Sequence, residues 1–127
     1  MNKLAFAFVA LLFAAPLAAE DLVDRRVLNE QPLSGLEGIV VIVSKLTVKP
    51  GGRIPLHTHP GDEHGVIVVG GDALMPNGKV VPFADGTPVF FAAGEVHGGV
   101  TNHGDAGIEI ITTHILQAGE PFQTAAE

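Results

Sequence analysis

Glycine or proline interrupts this chain roughly every 8 to 12 residues between Gly38 and Leu116, and the intervals are rich in β-branched residues. That rhythm leaves no room for a long helix and matches the strand-and-turn spacing of a sandwich or barrel. "GIVVIVSKLTVKP" is dense in Val and Ile, and its second half alternates apolar with polar, which is strand patterning. "EHGVIVVGGDALM" is a second such run, broken at Gly70-Gly71, and "TPVFFAAG" and "GIEIITTHIL" supply more. In the last of these Ile108, Ile110, Thr112 and His114 share one face, with Glu109, Ile111, Thr113 and Ile115 on the other. "MPNGKVVPF" places Asn77-Gly78 between two apolar runs, the signature of a two-residue hairpin turn. No stretch past the first twenty residues has a helical period, so the fold class is all-β, made of short antiparallel strands.

A chain of 127 residues suggests one domain, and its start falls outside that domain. "MNKLAFAFVALLFAAPLAAED" has one lysine, an apolar run from Leu4 to Phe13, then small residues. That order is a secretory signal peptide over residues 1–19, with cleavage expected after Ala18 or Ala19. The apolar run falls short of the ~20 residues needed to cross a bilayer. The expected location is therefore the periplasm or the outside of the cell. Residues 20–37 read as a polar N-terminal arm or an extra edge strand, 38–116 as the barrel, and 117–127 as a loose tail.

The formal net charge is −7 and becomes one unit more negative once Lys3 is cleaved away. With no basic run, neither nucleic acid nor an anionic membrane surface is an expected partner. There is no cysteine, which excludes thiolate ligands, a cysteine nucleophile and disulfide staples. Burial or oligomerisation must supply the stability.

The chemistry concentrates in "HTHPGDEHG", residues 57–65. His57 and His59 are two apart, so a strand points both imidazoles to one face, where they can share an ion. Pro55 and Pro60 flank the pair and argue against a helix. Pro60-Gly61-Asp62 is a turn, and a turn of that length can return Glu63 beside the histidines as an oxygen ligand. A further ligand is available in His97, on what reads as a neighbouring strand. By alternation His64 points away, and His103 sits in the solvated turn "TNHGD".

The arrangement resembles the cupin superfamily. Gly51, five residues, His57-Thr58-His59, three residues, Glu63, six residues and Gly70 match the first cupin motif at every position. The second motif is present less perfectly, as Gly86, Gly94, His97 and Asn102. Ala92 stands where the pattern has proline, and four residues instead of three precede the asparagine. The extra residue suggests a bulge at Gly98-Gly99 and puts the turn role of Asn102 in question. Between the motifs lie 15 residues, Gly71 to Asp85, as in compact single-domain members. The resemblance implies a cupin-type, jelly-roll-like β-barrel holding one divalent transition metal (Fe, Mn, Ni, Co, Cu or Zn) on His57, His59, Glu63 and His97. It also implies a homodimer in which an arm, here Leu22 to Leu36, pads the partner's sheet.

Four protein ligands leave coordination positions open, the mark of a catalytic rather than a structural site. The expected function is therefore a small metal-dependent enzyme, dioxygenase-like or a related lyase or isomerase, acting on a small organic substrate. The alternative is a non-catalytic binder of metal or a small ligand. Glu63 is a candidate base. Candidate cavity residues are Phe83, Phe90 and Phe91 for the walls, Thr112 and His114 if their face of the strand looks inward, and Arg53, which shares the parity of His57 and would pair with a substrate carboxylate.

Overall fold

The structure, a computed structural model, describes residues 21–127. The expected signal peptide, 1–19, lies outside the described residues. The described chain is all-β, with ten strands and no helix. They are β1 (Val23–Pro32), β2 (Ile39–Val48), β3 (His57–Thr58), β4 (Asp62–Val69), β5 (Gly71–Leu74), β6 (Val80–Phe83), β7 (Pro88–Phe91), β8 (Thr101–Asn102), β9 (Ile108–Gln117) and β10 (Thr124–Ala125). A five-stranded sheet runs β1-β2-β9-β4-β7, a three-stranded one β6-β5-β8, and β3 pairs with β10. All pairings are antiparallel.

Strand alternation decides what faces inward. On β9 Ile108, Ile110, Thr112, His114 and Leu116 are buried and the residues between them are not. On β2 the buried set is Ser44, Leu46 and Val48. Leu46, Val48, Ile67, Ile108 and Ile110 form the core, with Val23, Ile54, Phe83 and Val89 packed against it. Each such aliphatic side chain contributes about 1.5–3 kcal/mol by leaving water.

Two local features differ from what the pattern alone suggests, the hairpin and the tail, and the arm takes the second of its two expected forms. The hairpin between β5 and β6 is not a two-residue turn: Gly78 N–H donates to the Met75 carbonyl and Met75 N–H to the Lys79 carbonyl. Only Gly78 there has positive φ, at 80°. The loop is thus Pro76-Asn77-Gly78, a turn followed by a left-handed glycine, because a two-residue type I′ turn would need positive φ at Asn77 as well. The arm is an edge strand, laid on the chain's own β2 from Val23↔Val48 to Pro32↔Val40. The tail is not loose: Thr124 and Ala125 pair with Thr58 and His57.

The second-motif segment is irregular at Gly98-Gly99, as expected, but inserts no extra residue: the pairing is in the same register on either side, Arg53↔Thr101 and His57↔His97. Ile54 N–H donates to the Val100 carbonyl while Gly99 N–H donates to the Ile54 carbonyl, a local departure from the ladder. Gly98 and Gly99 both have positive φ, and a side chain on Gly98 would meet the Pro55 carbonyl. The displaced Asn102 keeps a turn role. It is buried, its amide donates to the Val48 and Ala106 carbonyls, and its oxygen accepts from Gly104 N–H.

Candidate metal centre

Backbone pairing sets the site. His57 and His97 form a bridge in which each N–H donates to the other's carbonyl, at 2.9 and 3.0 Å. On β4, Glu63 lies opposite His114 of β9 on one side and Phe91 of β7 on the other. The turn that returns Glu63 is tight. Gly61 is packed so closely on the Ile115 carbonyl that a Cβ would overlap it, and Asp62 Oδ1 accepts from Ala93 N–H at 3.0 Å.

These pairings gather His57, His59, Glu63 and His97, with one ligand atom of each within 4.8 Å of all the others. His57 Nε2 is 3.1 Å from His59 Nε2. Glu63 Oε2 is 2.9 Å from His97 Nε2, 3.2 Å from His59 Nε2 and 3.5 Å from His114 Nε2.

The second nitrogen of each ring shows what such crowding requires. His57 Nδ1 donates to the Pro55 carbonyl at 2.7 Å, His59 Nδ1 to Phe122 at 2.7 Å, and His97 Nδ1 to Glu95 at 2.8 Å. A carbonyl only accepts, so each Nδ1 carries the proton and each neutral ring turns a bare Nε2 lone pair inward. With all three rings neutral, three lone pairs and a carboxylate converge with nothing positive between them, and a proton on His97, which Glu63 favours, relieves this only in part. A cation relieves the repulsion, and the donor set of three imidazoles and a carboxylate suits a borderline transition metal. Two donors bound at about 2.0–2.2 Å and at right angles sit about 3 Å apart, close to the spacing found. The residues therefore fit a metal.

His114 differs. It is fully buried and its Nδ1 has no partner. Without a carbonyl to hold the proton on Nδ1, that proton can sit on Nε2 and be donated to Glu63. Ring packing fixes the other imidazoles: Phe91 stacks on His97 at 4.0 Å and 8°, and Phe122 packs edge-on to His59 at 5.0 Å.

The electrostatics follow from burial and contact. Burial pulls the Glu63 carboxyl upward, but contacts with His114, His59 and His97 outweigh it and hold the group far below the ordinary carboxylate range. Burial lowers His57 and His114; the Pro55 carbonyl and Glu63, respectively, offset this only in part. Burial also lowers His97, but its bond to Glu63 reverses the sign and leaves it raised.

His57, Glu63 and His97 of the cluster line one wall of a cavity of about 390 Å³, otherwise mainly apolar, with Leu56, Ile67, Phe83 and Phe91 among its lining. Thr112 also lines it, and His114 lies behind Glu63 on the same inward face of β9. Two expected cavity residues are elsewhere. Phe90 is 54% exposed on the opposite face of β7 from Phe91, beside His64. Arg53 is exposed at the bridge to Thr101. Its assumed parity fails because Ile54, Leu56 and His57 all line the cavity, so the alternation slips before β3 begins.

Sequence reasoning missed three participants. Arg25 of β1 reaches the cavity and donates to Ser44 Oγ at 2.8 Å and Thr112 Oγ1 at 2.9 Å. Ser44 had a readable signal, a polar residue in phase with Leu46 and Val48. The third is Phe122, whose carbonyl holds His59 and whose ring lies under Arg25, 5.1 Å from its guanidinium carbon.

A family model described as "Cupin domain" matches residues 44–121. Among solved structures, a cupin domain protein from Bordetella pertussis Tohama I is 21% identical, covers 73% of this chain and 92% of its own, and superposes with a TM-score of 0.57. A polyketide cyclase from Streptomyces resistomycificus is 16% identical over 84% of this chain and 73% of its own, at 0.58. A DMSP lyase from Ruegeria pomeroyi DSS-3 is 18% identical over 87% and 56%, at 0.59. At such identities the likeness is one of fold. No curated protein matches the chain.

Proposed function

The chain belongs to the cupin domain family, and we propose that it is a periplasmic or secreted metal-dependent enzyme, oxygenase-like or a related lyase or isomerase, acting on a small organic substrate. The observation that carries this reading is the convergence of three Nδ1-anchored imidazoles and Glu63 on one point in the wall of an apolar cavity. His57, His59, His97 and Glu63 hold the ion. Bound there, a transition metal supplies Lewis acidity and, if redox-active, a route to O₂.

The chain's own residues do the rest. Apolar walls exclude water and strengthen every charge interaction inside. Glu63 serves first as a ligand, because a carboxylate held far below its usual range is a weak base while its imidazole contacts last. His114 holds Glu63 in place from the far side. Phe83 and Phe91 shape the walls, and Thr112 presents a hydroxyl to the cavity.

One observation favours the non-catalytic alternative: beyond the cluster, Arg25 and Thr112 are the polar side chains on the lining, which is few for orienting a reaction. Metal analysis of untagged, freshly purified protein, followed by O₂ uptake and product analysis with enols, diketones and thiols, separates the two. Stoichiometric metal with turnover supports the enzyme, and tight metal with no reaction across the panel leaves the binder. We further propose a homodimer, supported by exposed Leu22, Val27, Leu28 and Leu36 along the arm. A monomeric sedimentation coefficient at micromolar concentration removes that part.

A further inference from the structure

Arg25 is the anomaly of the cavity. Its side chain comes from the N-terminal edge strand and lines both the main cavity and a smaller one of about 210 Å³ against Phe122. Arg25 is half-buried, and a charge drawn that far from water is normally paired. The described residues give Arg25 no carboxylate at ion-pair distance, only the neutral Ser44 and Thr112 hydroxyls, which also bond each other at 3.0 Å. Both contacts are made by Nη1, while a guanidinium carries five N–H groups on Nε, Nη1 and Nη2. Glu63 acts on the charge from a distance but is already engaged by the imidazoles. The ring of Phe122 and the two hydroxyls hold the fork in a fixed orientation. An arginine needed only to tie β1, β2 and β9 together would cost more to bury than an apolar residue of its size.

We infer that Arg25 is the anion-binding residue of this cavity, and that the cavity's ligand is a small carboxylate with an apolar body, its carboxylate on the free edge of the Arg25 guanidinium and its body against the aliphatic and phenyl walls. A planar fork with donors to spare matches a carboxylate two-to-two, and the rest of the lining offers apolar contact. The inference deepens the proposed function by naming the substrate class, and it rests on this cavity being the substrate site.

The test is a calorimetric titration of hexanoate and of hexanamide, which share a body and differ in charge, into metal-free and cobalt-loaded full-length protein. The expected result is that hexanoate binds both forms about tenfold or more tightly than hexanamide, the range of a charge-assisted hydrogen bond. Arg25→Met should abolish that preference while leaving cobalt binding unchanged, since Ser44 and Thr112 can keep their mutual bond. Equal binding of the two probes, no saturable binding of either, or hexanoate binding that survives Arg25→Met overturns the inference. So does hexanoate binding that needs cobalt but not Arg25, which would make the carboxylate a metal ligand. Should Arg25→Met fail to fold, the wild-type ¹H–¹⁵N resonance of Arg25 Nε decides. It shifts with hexanoate and not hexanamide if the inference holds, and responds to neither or to both alike if it does not. A protein that refuses cobalt yet binds hexanoate through Arg25 defeats the metal-dependent function and leaves this inference standing.

Discussion

A histidine becomes a usable metal ligand when its other nitrogen is spoken for, and here backbone carbonyls do that for three rings. His97→Ala removes one of the converging lone pairs and frees Glu63 Oε2 from its shortest contact. Metal affinity should fall by about 100-fold or more, beyond the effect of losing an outer partner alone; full occupancy in the variant by elemental analysis would take His97 out of the site. Acid acts on the same atoms. In metal-free protein His57 and His114 sit below the ordinary histidine value and Glu63 below the ordinary carboxylate value. A depressed group contributes stability that is present above its unfolded pKa and lost as pH falls through its folded one. His97, being raised, works oppositely: its contribution is present below its unfolded value and lost as pH rises. With two depressed histidines against one raised, the metal-free melting temperature should drop from pH 7.5 to 5.5. It should drop further below about 4.5, where unfolded Glu63 takes up a proton and the folded one still resists. A melting temperature that is flat or rising on acidification contradicts this balance.

At the scale of elements, the site depends on how short segments are seated. β3 is two residues long and is held by β10 on one edge and by His97 on the other. Deleting residues 121–127 removes β10 and the Phe122 carbonyl that fixes His59. Loss of one such outer partner should weaken metal binding about 10- to 100-fold with the ligands themselves untouched, a change readable by competition with a chelator. The turn into β4 is equally constrained. A Cβ at Gly61 would overlap a backbone carbonyl, which cannot step aside like a side chain, so Gly61→Ala should cost about 1–3 kcal/mol. Gly78→Ala meets no atom, and pays only for its positive φ, about 1–2 kcal/mol. Urea melts of the two variants compare crowding with backbone strain directly. These segments also mark where the sequence stopped being readable. The His-x-His spacing and the Pro-Gly-Asp turn brought three members of the cluster together because each is a local pattern. Phe122 acts at His59 through a carbonyl, an atom every residue has, so no residue type could announce it. Arg53 stays outside the cavity because it precedes an irregular stretch where alternation lapses, whereas Arg25, which no sequence pattern singled out, reaches it from the regular first half of β1, in phase with half-buried Val23. His114 was open because both faces of β9 carry isoleucines, and only its neighbours on β2 and β4 decide which one looks inward.

Across the whole molecule, the centre is a junction of distant segments. Glu63 and His97 meet across 34 residues, His59 and Phe122 across 63, and Arg25 and Thr112 across 87. The all-β class was legible from turn spacing, but the closure of arm and tail around the site was not, since polar termini look alike whether docked or free. With no disulfide to join these segments, an ion on His57, His59, Glu63 and His97 would be the strongest tie between β3, β4 and the segment that follows β7. Metal bound to the folded chain alone stabilises it by about 4 kcal/mol at a free concentration 1,000 times Kd. For a domain of this size that raises the melting temperature on the order of 15 °C. The gain should reverse with a chelator. It should vanish in His97→Ala, and it should persist in Arg25→Met, whose side chain faces the same cavity without joining the cluster. Equal melting temperatures for metal-free and metal-saturated protein would mean that the converging imidazoles bind no structural or catalytic ion. The repulsion among their lone pairs would then have to be relieved by protons, with His97, the raised histidine beside Glu63, the first to carry one.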